Sequence, residues 1–87
     1  MNTVLSQRLL RLLFTLFLGF SVAVGQEDLE KGKALLERGD VDNAIAAFKR
    51  ALAVSPRSGP VNYYLGLAYV QKKVLDSAES YFRTAVK

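Results

Sequence analysis

Eight carboxylates are the residues of this 87-residue chain best suited to acid–base chemistry: Glu27, Asp28, Glu30, Glu37, Asp40, Asp42, Asp76 and Glu79. Two carboxyl groups converging in a cleft could share the work of a general acid and a general base. Their positions argue otherwise, because they fall at expected helix starts or on polar helix faces, where the helix dipole accounts for several of them. The chain has no cysteine and no histidine. That excludes, within these residues, thiolate nucleophiles, disulfides, Cys/His zinc sites, c-type haem attachment and a Ser-His-Asp triad. It also excludes a lipid-modified cysteine at a processing site. The reading is of a protein without catalytic residues, metal or cofactor.

The basic residues do not suggest a nucleic-acid surface. Arg38, Lys49, Arg50, Arg57, Lys72, Lys73 and Arg83 are scattered among acids. They form no stripe interleaved with stacking aromatics. The formal net charge of +4 owes half its value to Arg8 and Arg11, since residues 26–87 hold ten basic and eight acidic residues.

Those two arginines belong to a distinct N-terminal segment. Met1 to Arg11 has no acid, and Leu12 to Val24 (LLFTLFLGFSVAV) has no charge. Ala23-Val24-Gly25 then places small residues three before and one before a cut ahead of Gln26. A basic start, an apolar run of ~7–15 residues and a small-x-small site define a secretory signal peptide. A bilayer-crossing helix needs ~20 apolar residues, which this stretch reaches only by including Arg11. Residues 1–25 are therefore expected to be a signal-peptide helix that sends the chain to the periplasm or outside the cell. The alternative is an uncleaved membrane anchor over residues 9–25. A buried domain helix fits poorly, because the segment lacks a polar face.

Compared with itself at an offset of 34, the remaining chain repeats. Gly32 aligns with Gly66, Ala34 with Ala68, Leu35 with Tyr69 and Asp42 with Asp76. Ala44 aligns with Ala78, Phe48 with Phe82, Arg50 with Thr84 and Ala51 with Ala85. All but Arg50/Thr84 are identical or similar in kind, and they recur at helical intervals. Such a period marks a stacked repeat architecture.

The residues carrying the repeat resemble the tetratricopeptide family, a 34-residue helix-turn-helix with W-x2-L-G-x2-Y, then A-x3-F and a late Pro. The second repeat has Leu65-Gly66-Leu67-Ala68-Tyr69, then Ala78, Phe82 and Ala85. The first has Gly32, Ala44, Phe48, Ala51 and Pro56. Asp28 and Asn62 stand at the Trp position, and Lys31 stands where Leu would precede the first glycine. The resemblance implies an all-α fold: two antiparallel helix-turn-helix hairpins stacked as a short right-handed α-solenoid. Residues 26–87 would hold both repeats, about 25–58 and 59–87, the second incomplete.

Periodicity supports the helices independently. Val41, Ala44, Ile45, Phe48, Ala51 and Leu52 follow the three-four spacing of one apolar helix face. Leu75, Ala78, Tyr81, Phe82, Ala85 and Val86 repeat it, and Val61, Tyr64, Leu65, Ala68 and Tyr69 form a third stripe. Gly39-Asp40 is expected to end the first helix, with Asp40 or Asp42 offering a carboxylate to the next helix's free N–H groups. Ser55-Pro56 stops the second helix. Ser58-Gly59 precedes Pro60, which a first helical turn tolerates, and Asp76 is expected to start the fourth helix. Gly32 and Gly66 lie inside helices at a cost of ~1 kcal/mol each relative to alanine. That cost implies close packing, here expected against Ala44 and Ala78. Phe48, Phe82 and Tyr69 read as hairpin core.

The family resemblance also implies where a partner would sit. First helices of successive repeats line a concave groove that takes a peptide or a partner's helix. By register its residues are Leu29, Lys33, Leu36 and Glu37, then Tyr63, Leu67, Val70 and Gln71. Spacing adds that Tyr63, Leu67 and Val70 share a helix face rotated away from Leu65 and Tyr69. An apolar strip left over after core packing suits a helix-in-groove site. The same strip could instead pack on a neighbouring repeat or a second copy. Only Lys33 among these residues is positive, which argues against a receptor for acidic chaperone tails. The expected function is an exported, non-catalytic scaffold binding another protein or peptide. Contact with a membrane would come only through the N-terminal segment.

Two repeats are few, since about three are usually needed for stability. Phe82 and Val86 are left on an apolar face after the last helix. A longer array, self-association or completion by a partner would each supply what the pair lacks.

Overall fold

The computed structural model describes residues 25–87, and all their regular structure is helical. Four helices follow in order: α1 over residues 25–37, α2 at Val41–Val54, α3 at Gly59–Gln71 and α4 at Leu75–Ala85. The reading of residues 1–25 as an export signal lies, apart from Gly25, outside the described residues. No described helix is long and apolar enough to cross a membrane.

Consecutive helices run antiparallel. Asp28 pairs with Arg50 and Gly32 lies against Phe48. Gly66 lies against Phe82 and Tyr69 stacks on Tyr81 at 5.4 Å. One number rises as its partner falls, which is the signature of a hairpin.

Both hairpins turn by the same backbone device. After α1, Asp40 N–H donates to Leu35 C=O at 2.9 Å and Gly39 N–H donates to Leu36 C=O at 3.0 Å. After α3, Val74 N–H donates to Tyr69 C=O at 2.9 Å and Lys73 N–H donates to Val70 C=O at 3.0 Å. These nested bonds satisfy carbonyls that a helix end leaves free. They require a left-handed residue, supplied by Gly39 at φ 79° and by Lys73 at φ 66°.

The helix starts differ from expectation. Asp40 stands at the N-cap of α2, but its side chain bonds no backbone N–H. Its carboxylate instead accepts both bonds of the Asn43 amide, at 3.1 and 3.0 Å. Asp42, in the first turn, accepts from Lys72 Nζ at 2.8 Å. Helix α4 begins at Leu75, one residue before Asp76, with Val74 as an uncapped N-cap. Of α2, α3 and α4, only α3 has a side-chain cap: Ser58 Oγ accepts from Val61 N–H at 3.3 Å, ahead of Pro60 in the first turn.

The core joins α1, α2 and α3. Leu35 and Leu36 meet Ile45, Ala47, Phe48 and Ala51, and Val61, Leu65 and Ala68 close it from α3. Helix α3 packs on both α2 and α4. That position explains why apolar residues surround its circumference instead of forming a single stripe. On α4 only Ala78 is buried, while Leu75 and Val86 are exposed. The stripe expected along α4 is present in sequence, but little described structure covers its outer side.

The two helix-interior glycines are packing residues, against a different partner from the alanines expected. A Cβ on Gly32 would lie 2.4 Å from Phe48 Cε1, and one on Gly66 would lie 2.5 Å from Phe82 Cε1. Each glycine therefore seats the edge of a phenylalanine ring from the second helix of its own hairpin.

Candidate protein-binding surface

The eight residues expected to line a groove separate into distinct environments. Leu36 is 8% exposed and sits in the core, where it offers little surface to a partner. Leu29 and Leu67 are partly buried against the same core. Glu37 and Gln71 are exposed near the ends of α1 and α3. Val70, 43% exposed, faces an open apolar surface shared with α4.

Lys33 and Tyr63 are brought together through a residue that spacing placed in the packing stripe. Tyr64 is half-buried and stacks on Phe48 at 5.7 Å. Lys33 Nζ lies 5.2 Å from the centre of the Tyr64 ring, within reach of a cation–π contact. Lys33 also pairs with Glu30 at 3.5 Å. Tyr63 meets Tyr64 edge-on at 5.4 Å and lies 6.0 Å from Phe82. Tyr63 is nonetheless 47% exposed. The result is an aromatic track across α3, rooted in the core and open to solvent at Tyr63.

Two polar residues at the position of the family's Trp hold the scaffold beneath this track. Asn62 is 2% exposed. Its amide donates to Pro56 C=O at 3.2 Å and Ser58 C=O at 2.8 Å. A buried amide needs such partners, and here they pin the α2–α3 loop. Asp28 accepts from Arg50 Nε at 3.1 Å, tying α1 to α2. Sequence alone marked both positions as departures from the pattern, and only the tertiary partners explain them.

Between the repeats, Lys72 bonds Asp42, and that hydrogen bond, with the charge of the carboxylate, raises the lysine above its usual value of 10.5. Among the described residues, no three His, Asp or Glu side chains converge as a metal site would require.

Antiparallel hairpins repeating every 34 residues and closed by matching turns define a helical-repeat protein. A family model described as tetratricopeptide repeat matches residues 29–87. The chain belongs to that family, whose repeats generally bind other proteins or peptides and generally act as non-catalytic modules. A search of characterised proteins finds no match to the chain.

Proposed function

We propose that this chain is an exported interaction scaffold that holds a peptide or a partner's helix across the first helices of its repeats. The observation that carries the reading is Tyr63. A large aromatic left about half exposed, with rings packed beneath it, is the pre-ordered amphipathic anchor that interfaces favour. Lys33, Leu29 and Leu67 would complete the contact, with Glu37 and Gln71 at its polar end. Leu67 also touches the core, so Tyr63→Ala separates binding from folding more cleanly than a charge at Leu67.

Peptides selected from a display library against the full-length chain provide the test. Tyr63→Ala should weaken their binding at least tenfold with helicity unchanged, whereas Lys31→Ala should not. Equal binding by the Tyr63 variant would refute the groove assignment. Export rests on the basic start, apolar run and small-x-small site before Gln26. The mass of the mature protein tests it: an intact Met1 would favour the anchored alternative.

A further inference from the structure

The two ends of the repeat pair are chemically unlike. At the α4 end, Val70, Leu75, Phe82 and Val86 line an open surface with Glu79 and Arg83 among them. Leu75 and Val86 are 67% and 87% exposed. Thirty-four residues earlier, the matching positions are Leu36, Val41, Phe48 and Leu52, which lie in or against the core. The second repeat thus leaves open the face that the first repeat turns inward. At the α1 end, the positions matching Val61, Tyr64, Leu65 and Ala68 are Glu27, Glu30, Lys31 and Ala34, all exposed.

This asymmetry narrows the occupant. Head-to-tail stacking of copies would set Glu27, Glu30 and Lys31 on Leu75 and Val86, stripping water from charges. A helix seated on α4 as α3 sits on α2 meets a second obstacle. Where α2 has Ile45, 7% exposed, α4 has Glu79 paired with Arg83 four residues on, so that seat would bury an ion pair against an apolar helix face.

A second copy of α4, running antiparallel, avoids the first obstacle and meets the second by offering each charge of the Glu79–Arg83 pair an opposite one. Sliding it until Glu79 faces the second copy's Arg83 also sets Leu75 beside the second copy's Val86, because both pairings are centred near Tyr81. Apolar meets apolar, and acid meets base, in one register. We propose that the chain pairs with a second copy of itself through α4, about a two-fold axis near Tyr81. The same patch then serves both copies, and the contact closes without propagating into a fibre. This pairing does not depend on the groove reading.

The cysteine-free sequence makes the test direct. Full-length Leu75→Cys and Val86→Cys chains, kept soluble in mild detergent, are oxidised separately and as a mixture. Disulfides form across Cα separations of about 4.4–6.8 Å. Like positions would lie roughly 16 Å apart along the paired helices. The mixture should therefore yield a cross-linked dimer several-fold above either variant alone. Adding Glu79→Arg to both chains should abolish that excess with helicity retained, and Glu79→Arg with Arg83→Glu should restore it. Equal cross-linking in all three samples overturns the proposal. So does a yield no higher than that of Ala46→Cys on the exposed side of α2, or an excess indifferent to Glu79→Arg.

Discussion

Replacing Gly32 by alanine sets two known effects against each other. Alanine is the better helix former by about 1 kcal/mol. The new Cβ, however, would sit 2.4 Å from Phe48 Cε1 and 2.6 Å from Cδ1, where carbons ordinarily rest about 3.5–4.0 Å apart. Phe48 is fully buried and stacked on Tyr64, so its ring has nowhere to retreat. Overpacking of this kind costs about 1–3 kcal/mol, occasionally more, which exceeds the gain in propensity. Against a ring that cannot move, the upper part of that range applies, about 2–3 kcal/mol. Gly32→Ala should therefore destabilise the fold by about 1–2 kcal/mol after the gain is subtracted, lowering Tm by roughly 4–16 °C for so small a domain. Gly66 provides the control. Its Cβ would meet Phe82 at nearly the same distance, but Phe82 is only half-buried and borders the open α4 surface. That ring can swing outward, so Gly66→Ala should stay within about 1 kcal/mol of the parent. Thermal unfolding of dilute protein followed by circular dichroism measures both. A Gly32→Ala chain as stable as the parent, or a Gly66→Ala chain equally damaged, would refute the packing account.

Two more outcomes follow from the turns and the bridge between repeats. Lys73→Gly relieves a left-handed lysine, which costs about 1–2 kcal/mol, against a loss of about 0.5–1 kcal/mol from glycine's freedom in the unfolded chain; a Tm a few degrees above the parent is expected, and an unchanged or lower one counts against strain at that turn. Asp42→Asn should move the Lys72 titration, read by NMR, back down towards 10.5. Because Lys72 is raised in the fold, the contribution of the pair is fully present below 10.5 and fades as pH climbs through the folded value. The bridge is exposed to salt and water, so the substitution should hardly change Tm at neutral pH.

What the sequence made legible were features written locally. The 34-residue period follows from side chains of like size recurring at matching positions. The breaks at Gly39-Asp40 and Ser55-Pro56 and the Ser58-Gly59-Pro60 start follow from backbone preferences of single residues. Periodicity assigned Phe48 and Leu65 to the core because their helices are one-sided or sandwiched at those points. What stayed hidden depends on partners distant in sequence. Nothing local says that Asp42 will reach Lys72, 30 residues away. Leu36 and Tyr63 both lay on the expected groove, yet α2 and α3 enclose one and leave the other open. The glycines signalled close packing by their cost in a helix, but the choice of a phenylalanine edge over an alanine required the hairpin geometry.

The paired turns have one more consequence. Each is held by two main-chain hydrogen bonds and a single left-handed residue, so the turn itself is set by the backbone, while Gly32 against Phe48 and Gly66 against Phe82 set how the helices beyond it pack. Exposed side chains on α1 and α3 take no part in those turn bonds. Architecture and recognition are thus written in separate alphabets, and residues such as Lys33 and Tyr63 can be exchanged for other binding chemistries while the frame that presents them keeps its shape.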